Sequence, residues 1–339
     1  MTTISAWAPG RVNVIGDHTD HTGGWCLPMA IDRGVGIDGE AGGDVVHLTS
    51  KDQPAAARVR LSVADPRSVQ PPWARYVAAV VAEFRPPVGL VGTVSATLPS
   101  GIGLSSSAAL EVAVALALGA DAADPVAFAR RCQAAEHAAR GVPTGILDQL
   151  SSIGGVEGHA LLMDCHEVTV APVQLPPPDE VEWSVVVPSG RRELASSGYA
   201  ERVAELAVAE DEIGPLRLAD RKTVETIRDA VVRRRSRHVV TENGRVHAFA
   251  AAIAAGDLAT AGALMHESHA SLRDDFQSST TAIDARCVEL SATPGVFGAR
   301  STGGGWGGAI VVMARPGALA GRNDTLIVRP SAGARSVIS

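Results

Sequence analysis

The chain has 339 residues, of which 46% are hydrophobic and 20% are charged; these proportions are typical of a globular protein and exclude a coiled coil or a disordered chain. The length favours two domains, because a single domain usually contains about 100–200 residues. The net charge of -7 argues against a nucleic-acid partner, since binding to phosphates along a strand requires a basic surface.

Cysteine usage and the first residues predict the compartment. The cysteines are scattered without a C-x-x-C pair, which favours reduced thiols over a disulfide framework or a zinc site. They are Cys26, Cys132, Cys165 and Cys287. The segment MTTISAWAPG lacks the plan of a signal peptide, and no apolar run approaches the roughly 20 residues of a membrane span. We therefore expect a cytoplasmic protein without a membrane partner.

In chain order, the first half alternates strand and helix patterns. Residues 45–50, 91–98 and 159–164 have the composition of strands, whereas residues 73–84 and 106–120 have helical periodicity. Such a mixture predicts an α+β or α/β fold.

Three consecutive prolines, Pro176–Pro178, form a stiff segment that cannot pair within a sheet. We therefore predict two domains, residues 1–175 and residues 176–339. The second begins with a strand pattern at 183–190 and continues with helical patterns such as 258–276.

Residues 98–118, LPSGIGLSSSAALEVAVALAL, predict a strand that enters a Gly/Ser turn and then an apolar helix. The backbone N–H groups of such a turn and of the helix start converge, which is typical of an anion-binding cradle. The alternative is a flexible loop with a serine cap, but a cap requires only one of the three serines, Ser105–Ser107.

Two common phosphate motifs are excluded. A Walker loop requires G-x-x-x-x-G-K-[ST], and neither lysine of the chain, Lys51 or Lys222, has glycines in those positions. The V-A-I-K lysine of the protein kinases is also missing, because neither of the two lysines lies in such a motif. A dinucleotide-binding G-x-G-x-x-G is broken by Ser106, which stands where the third glycine belongs.

Two further segments have functional interpretations beside plainer ones. Residues 301–308, STGGGWGG, allow a backbone to approach a ligand closely, although a hairpin would also accommodate them. In residues 135–152, Glu136 lies in an amphipathic helix, and Asp148 follows a G-x-P-x-G turn at a predicted helix start. Such an aspartate is often only a cap.

Three polar runs are interpreted as structural. The basic residues of 217–238 alternate with acids, which favours a solvated helix face over a binding patch. HESH, at 266–269, lacks zincin spacing and is expected on a partly exposed helix face. D-H-x-D-H, at 17–21, also lacks zinc spacing.

Taken together, three segments resemble the motifs of the GHMP kinases, the superfamily of galactokinase, homoserine kinase, mevalonate kinase and phosphomevalonate kinase. LPSGIGLSSSAAL resembles the phosphate motif, GARSTGGGWGGA resembles the third motif, and APGRVNVIGDHTDHTGGWCLPMAID, at 8–32, resembles the signature of the galactokinases. Further segments, at 136–150, 193–202 and 237–276, resemble other blocks of the family and occur in the expected order. By this resemblance the chain is identified as a member of the galactokinase family.

The resemblance implies an α+β GHMP kinase fold, with an N-terminal domain like ribosomal protein S5, a ferredoxin-like α+β C-terminal domain, and an active site in the cleft between them. It implies an ATP-dependent sugar 1-kinase that uses ATP and Mg²⁺. D-Galactose is the first choice of substrate. We expect the sugar and ATP as its partners, and a monomer or weak oligomer.

Site residues are transferred from the family motifs by position. Asp148 matches the catalytic aspartate and Arg11 the arginine beside it; Ser107 and Glu136 match the neighbours of Mg²⁺. The sugar-binding positions are Asp17, His18, Asp20, Gly145 and Tyr199. The nucleotide-binding positions are Trp73, Tyr76, Gly101, Gly103, Ser105, Ser106, Ser107 and Gly304.

The implied chemistry is phosphoryl transfer through a loose transition state, which needs positioning and positive charge more than a strong base. An arginine beside Asp148 keeps this carboxylate ionised and makes it a weaker base. Whether Asp148 is a base or an electrostatic orienter stays open at this point.

Departures from the family pattern concern the choice of sugar. Asp17, His21 and Thr22 stand where the family usually has glutamate, tyrosine and asparagine, and Trp306 stands where it has phenylalanine. The shorter Asp17 leaves a gap of about 1.5 Å, which a water or a different C6 group would fill. Pro188 and Gly190 lie near positions where asparagines are usual.

These departures leave several alternatives. L-Arabinose, galacturonate and N-acetylgalactosamine are the other sugars. A non-catalytic sensor of sugar and ATP is disfavoured because GLSSSAAL is intact, and a kinase for mevalonate or homoserine is disfavoured by the H-T-D element at 18–20. His21 has no predicted role.

Overall fold

The computed structural model describes residues 2–99, 101–141, 144–187 and 195–339, apart from the side chains of residues 195–197. Pro188 and Gly190, the predicted departures from the family, lie outside the described residues. No helix of the described ranges is both long and apolar enough to cross a membrane.

The strands are β1 (Thr3–Ile15), β2 (Trp25–Ala41), β3 (Val45–Ser50), β4 (Ala57–Arg60), β5 (Leu90–Ala96), β6 (His159–Asp164), β7 (Thr169–Gln174), β8 (Glu182–Val186), β9 (Val296–Thr302), β10 (Ala309–Ala314), β11 (Thr325–Val328) and β12 (Arg335–Ile338). They form two sheets. The first contains β12-β1-β2-β5-β3-β4, with β6 and β7 attached through β2, and the second has the order β11-β8-β10-β9.

The helices are α1 (Ala74–Phe84), α2 (Ser106–Ala117), α3 (Pro125–Arg140), α4 (Leu147–Gly154), α5 (Ala195–Ile213), α6 (Arg221–Val224), α7 (Ala230–Ala254), α8 (Leu258–Ser271) and α9 (Thr281–Ser291). A π-helical turn, Leu272–Phe276, follows α8 directly. Pairing is antiparallel except between β3 and β5. The predicted α+β class is confirmed.

The long strands β1 and β2 bring the site residues into position. Their register shifts between Pro9 and Arg11 and again between Asn13 and Ile15. Such bulges bend a strand and redirect its side chains. Between the two bulges the pairing is regular, so Arg11 and Asn13 lie on one face while Val12 is buried on the other.

The core of the first sheet is formed largely by alanine and valine. Helix α2 is buried on almost all sides, and its Val112, Ala113 and Val114 are fully inaccessible to solvent. Burying one such valine contributes about 1.5–3 kcal/mol. This packing fixes the start of α2, where the predicted anion-binding turn lies.

The last described strand returns to the first sheet. β12 pairs with β1, with Ile338 opposite Ile4, and Thr3 N–H donates to the Ser339 carbonyl at 2.8 Å. The predicted domain of residues 176–339 therefore contributes a strand to the sheet of the other half. The division at residue 176 itself stays a prediction.

One local expectation was wrong. In the basic run of 217–238, Arg235 and His238 are buried: Arg235 pairs with Glu205, and His238 Nε2 contacts the Asp17 carbonyl. HESH lies on a partly exposed helix face, as expected, with His266 exposed and His269 buried beside Asp284.

Candidate active site

One cavity of about 410 Å³ collects most of the predicted site residues. It is lined by Arg11, Asn13, Asp17, His18, Asp20, Tyr76, Gly101, Gly103, Ser105, Ser106, Ser107, Arg140, Thr144, Gly145, Leu147, Asp148, Tyr199, Gly303 and Gly304. All predicted site residues are in this set except Trp73 and Glu136. Two lining segments, which we name by their predicted roles, form its ends: the phosphate loop (residues 101–107) and the sugar loop (residues 16–21).

Arg11 and Asp148 meet between these two loops. Arg11 Nε donates to Asp148 Oδ1 at 2.8 Å, and Nη2 approaches the same oxygen at 2.5 Å. Arg11 Nη1 also donates to the Gly103 carbonyl at 2.6 Å. Asp148 lines the cavity, and its side chain is 27% exposed. Asp148 lies in the first turn of α4, where the helix dipole favours a carboxylate.

The phosphate loop is shaped by left-handed backbone conformations. Gly101 and Gly103 have φ of 77° and 85°, and Ser105, the residue before α2, has φ of 56°. Glycine adopts this region at little cost, whereas Ser105 is held there by its surroundings. The Ser105 side chain makes no capping bond, and its buried Oγ has no partner among the described residues. The start of α2 therefore directs its N–H groups and an unused hydroxyl to one place.

Glu136 lies behind the phosphate loop and is almost fully buried. Its Oε1 accepts from Ser107 Oγ at 3.0 Å and from Arg140 Nη1 at 3.3 Å. Its Oε2 accepts from Gln149 Nε2 at 2.8 Å and from Thr144 Oγ1 at 3.2 Å. Glu136 thus holds Ser107 in place, and it is Ser107 that lines the cavity.

A second carboxyl, Glu111, lies one helical turn beyond Ser107 on α2 and is fully buried. Burial, and next the charge of Glu136, raise the pKa of Glu111 well above its usual value. Gln149 Nε2 also reaches Glu111 Oε2, at 3.5 Å. The Glu111 side chain thus lies behind the phosphate loop, with Gln149 between it and Glu136.

In the sugar loop, both oxygens of Asp17 are engaged. Arg300 Nη1 lies 2.6 Å from Asp17 Oδ2, and Gly303 N–H donates to Oδ1 at 2.9 Å. Burial raises the pKa of Asp17, while the ion pair with Arg300 opposes that shift. The gap expected from the shorter Asp17 side chain is thus spanned by the STGGGWGG segment (residues 301–308), whose Gly303 N–H approaches the carboxylate.

His18 has a left-handed backbone, with φ of 64°, and its ring stacks on Phe276 with centroids 4.4 Å apart. Burial, and next the neighbouring His21, lower the pKa of His18 well below its usual value, so the ring is neutral at pH 7. Its Nε2 is buried without a partner among the described residues, and His18 lines the cavity.

Asp20 lies against Gly145 so closely that a Cβ on Gly145 would overlap the carboxylate. This contact explains the glycine. Burial tends to raise the pKa of Asp20, but the interactions with His21 and His18 together outweigh burial and lower the pKa. His21 Nδ1 lies 3.4 Å from Asp20 Oδ1, and its ring meets the edge of Tyr199 with centroids 5.8 Å apart. His21 therefore orients Asp20.

Of the predicted adenine neighbours, Tyr76 lines the cavity and Trp73 is not among the described residues that do so. Trp73 Nε1 donates to the Ala55 carbonyl at 2.9 Å, and its ring packs against the core. Burial raises the pKa of Tyr76.

Several residues of the site were not predicted from the sequence. In the cavity they are Asn13, Arg140, Thr144, Leu147 and Gly303, and behind it they are Gln149, Arg300 and Glu242. Asn13 and Arg140 had a signal, since Asn13 follows Arg11 by two residues on a strand and Arg140 follows Glu136 by four on a helix. The contacts of Arg300 and Glu242 connect residues distant in sequence.

Comparison with known proteins identifies the chain. Two family models match it, the GHMP kinases N terminal domain over residues 74–155 and the GHMP kinases C terminal over residues 249–322, so the fold is that of a GHMP kinase. A third, the galactokinase galactose-binding signature, matches residues 2–37. The galactokinase of Homo sapiens is 39% identical over 91% of this chain and 83% of its own, and that of Mycobacterium tuberculosis is 37% identical over 92% and 89%.

The chain therefore belongs to the galactokinase family, whose members are kinases that act on a sugar hydroxyl. A solved structure of Lactococcus lactis galactokinase complexed with galactose has a TM-score of 0.89 and 26% identity, covering 98% of this chain and 95% of its own. A Methanococcus jannaschii mevalonate kinase has a TM-score of 0.70 at 18% identity, covering 98% of each chain, which shows the shared fold alone.

Proposed function

We propose that this chain transfers the γ-phosphoryl group of ATP to the anomeric hydroxyl of D-galactose. The observation that carries the proposal is the Arg11–Asp148 pair, which lies in one cavity between a Gly/Ser loop at a helix start and a loop of polar side chains. A phosphoryl donor and a sugar acceptor bound at these two ends would meet at the pair.

Asp148 is the proposed catalytic aspartate. Its carboxylate, held by Arg11 through Oδ1, orients the attacking hydroxyl and accepts its proton as the bond to phosphorus forms. Because the transition state is loose, the proton leaves late and a weak base suffices. Arg11, held by Asp148 and the Gly103 carbonyl, stabilises the negative charge on the transferred group.

The phosphate loop holds the triphosphate. Backbone N–H groups at the start of α2, together with the hydroxyls of Ser105–Ser107, supply hydrogen bonds without requiring a lysine. Arg140, whose guanidinium is held by Glu136, adds a second cation beside this loop. Gly101, Gly103 and Gly304 let the backbone come close, and Trp73 and Tyr76 are the proposed adenine neighbours.

Mg²⁺ fits this site, because a hydroxyl and a carboxylate are the ligands it prefers in proteins. Ser107, which lines the cavity, would hold the ion, and Glu136 would act through its hydrogen bond with Ser107. Bound there, Mg²⁺ neutralises charge on the phosphates.

The sugar end recognises hydroxyls. Asp20 and the neutral His18 offer acceptors toward the cavity, and Tyr199 offers a phenol whose pKa burial raises well above its usual value, so it stays a donor. Gly145 leaves room for Asp20. Asp17 is engaged by Arg300 and Gly303, which leaves the sugar C6 group fewer direct contacts. L-Arabinose, which lacks that group, is therefore the second candidate.

A sugar panel tests the proposal. The rate of ADP release should be highest with D-galactose, compared by kcat/KM with L-arabinose, galacturonate and N-acetylgalactosamine. A preference of about a hundredfold for another sugar would overturn galactose as the substrate. Binding of sugar without turnover of any member would instead favour a sensor. The Asp148→Asn variant controls for contaminating kinases.

A further inference from the structure

Asn13 is the polar side chain of the cavity that the proposed roles leave unused. It is 1% exposed, it lines the cavity, and both Nδ2 and Oδ1 are buried without a hydrogen-bond partner among the described residues. A buried amide left without partners is unfavourable by about 1–3 kcal/mol. Such a group is retained where a ligand completes its hydrogen bonds.

The neighbours of Asn13 locate it between the catalytic pair and the sugar loop. On β1 it follows Arg11 by two residues in a regular stretch, so the two side chains share a face. Its carbonyl accepts from Thr302 Oγ1 at 2.7 Å, and the next residue, Gly303, donates to Asp17. These contacts hold the Asn13 backbone, which leaves the carboxamide to the cavity.

The chemistry of a carboxamide distinguishes the two ends of the cavity. Phosphate oxygens are acceptors only, and backbone N–H groups, hydroxyls and arginines already surround the phosphate loop. A sugar hydroxyl is both donor and acceptor, and adjacent hydroxyls are matched by a group that offers both. A carboxamide offers both on one rigid plane.

We infer that Asn13 is a sugar-contacting specificity residue, whose carboxamide hydrogen-bonds a hydroxyl group of the acceptor sugar beside the anomeric centre. The inference rests on the proposed sugar kinase activity. Asn13 takes no part in proton transfer; it fixes the sugar ring so that the attacking hydroxyl lies at Asp148.

The test is a cycle between protein variants and galactose analogues that each lack one hydroxyl. For the unaltered chain, every analogue that loses a contact should show a reduced kcat/KM. Asn13→Ala should reduce kcat/KM for galactose by about tenfold or more. For one analogue, the one that lacks the partner hydroxyl, Asn13→Ala should cause little further reduction, which identifies the contact. ATP binding measured without sugar should stay within about twofold.

A second buried asparagine provides the control. Asn243 Oδ1 accepts from the Trp25 N–H at 2.8 Å, so its role is structural. Asn243→Ala should lower thermal stability while leaving the ratios among the analogues unchanged. If Asn13→Ala fails to fold, Asn13→Ser, which keeps a smaller donor and acceptor, replaces it in the cycle.

Two results would overturn the inference. One is that an Asn13 variant reduces kcat/KM for galactose and for every analogue by the same factor. The other is that it lowers stability and leaves kcat/KM for galactose unchanged within about twofold. Either result leaves the proposed function intact, since that depends on the unaltered chain turning over galactose.

Discussion

The phosphate loop and the sugar loop are held in place by different forces. The phosphate loop is shaped by backbone conformation, with glycines and Ser105 in left-handed regions and, behind it, the buried carboxyl of Glu111, whose pKa burial raises. The sugar loop is held by buried charges, since Arg300 pairs with Asp17 and lies 3.8 Å from Glu242. A phosphate can be recognised by N–H groups of any sequence, whereas a sugar requires side chains held at fixed positions.

Glu242 shows how far this charge network extends. It accepts from the Gly16 N–H at 3.0 Å, from Ser268 Oγ at 2.5 Å and from Arg245 Nε at 2.7 Å. Burial alone would raise its pKa, but Arg245, His238 and Arg300 lower it to about 2. An ionised carboxylate from the second half of the chain therefore holds the start of the sugar loop.

The largest effect is expected at the centre of the cavity, where the two ends meet. Asp148→Asn should lower kcat by about three orders of magnitude or more, because the group that orients the hydroxyl and accepts its proton is lost. ATP affinity, measured by calorimetry, should change little. The exposed Glu157→Gln variant is the control, and near-normal turnover in Asp148→Asn would contradict the assignment.

Replacing Arg300 tests how strongly the sugar loop depends on buried charge. Arg300→Met leaves Asp17 and Glu242 buried without their shared partner, which should reduce the free energy of unfolding by about 3–5 kcal/mol. The exposed pair Arg273–Asp274 provides the matched control, because Arg273→Met should cost no more than about 1 kcal/mol. Urea unfolding measures both, and equal losses would show that the network contributes no more than a surface pair.

The sugar end should also make stability depend on pH. Burial lowers the pKa of His238 to about 4, although Glu242 opposes this. The unfolded chain therefore takes up a proton near the ordinary value of 6.5 while the folded chain does not. The contribution of His238 to the free energy of unfolding is fully present above pH 6.5. It is lost as the pH falls toward 4 and amounts to at most about 3 kcal/mol.

Urea unfolding between pH 7 and pH 5 checks this prediction, because the contribution of Glu242 is lost only below its ordinary pKa of 4.5, as the pH falls toward 2. Replacing His238 by Asn should reduce the slope of the profile, while His18 and His269, whose pKa values burial also lowers, continue to contribute to it. Replacing the exposed His166 by Gln should leave the profile as it is. An unchanged slope in the His238 variant would show that other groups cause the dependence.

The smallest effect is expected behind the phosphate loop. Burial raises the pKa of Glu111, which favours the uncharged form, so Glu111→Gln should change the free energy of unfolding by less than about 1 kcal/mol. Glu136→Gln weakens the hydrogen bonds that hold Ser107 and Arg140, and should lower kcat/KM for ATP by about tenfold. A loss of kcat/KM for ATP in Glu111→Gln as large as that in Glu136→Gln would contradict this difference.

The phosphate loop could be predicted from the sequence because its conformation is local. Glycines, three serines and an apolar helix follow one another within residues 101–117. Each of these residue types indicates the local backbone conformation by itself, without a partner from a distant segment. The sugar loop shows the limit of this reasoning. The partners of Asp17 and Gly16 come from β9 and α7, and the Phe276 beneath His18 lies in a π-helical turn. Contacts between distant segments leave no periodicity to detect.

The same limit applies to two single residues. Trp73 was assigned by position in a motif and stays a prediction; its indole N–H donates to the Ala55 carbonyl, a contact that no local pattern indicates. His21 had no predicted role because its partners, Asp20 and Tyr199, meet only in the folded chain.

The pairing of β12 with β1 sets the order in which this enzyme is completed during synthesis. β1 carries Arg11 and Asn13, yet one of its edges is covered only when residues 335–338 have left the ribosome. Until then, a nascent chain exposes unpaired N–H and C=O groups along Ile4–Trp7, where a chaperone or another nascent chain can pair with them. The sheet that carries Arg11 therefore closes only after residues 335–338 have been translated.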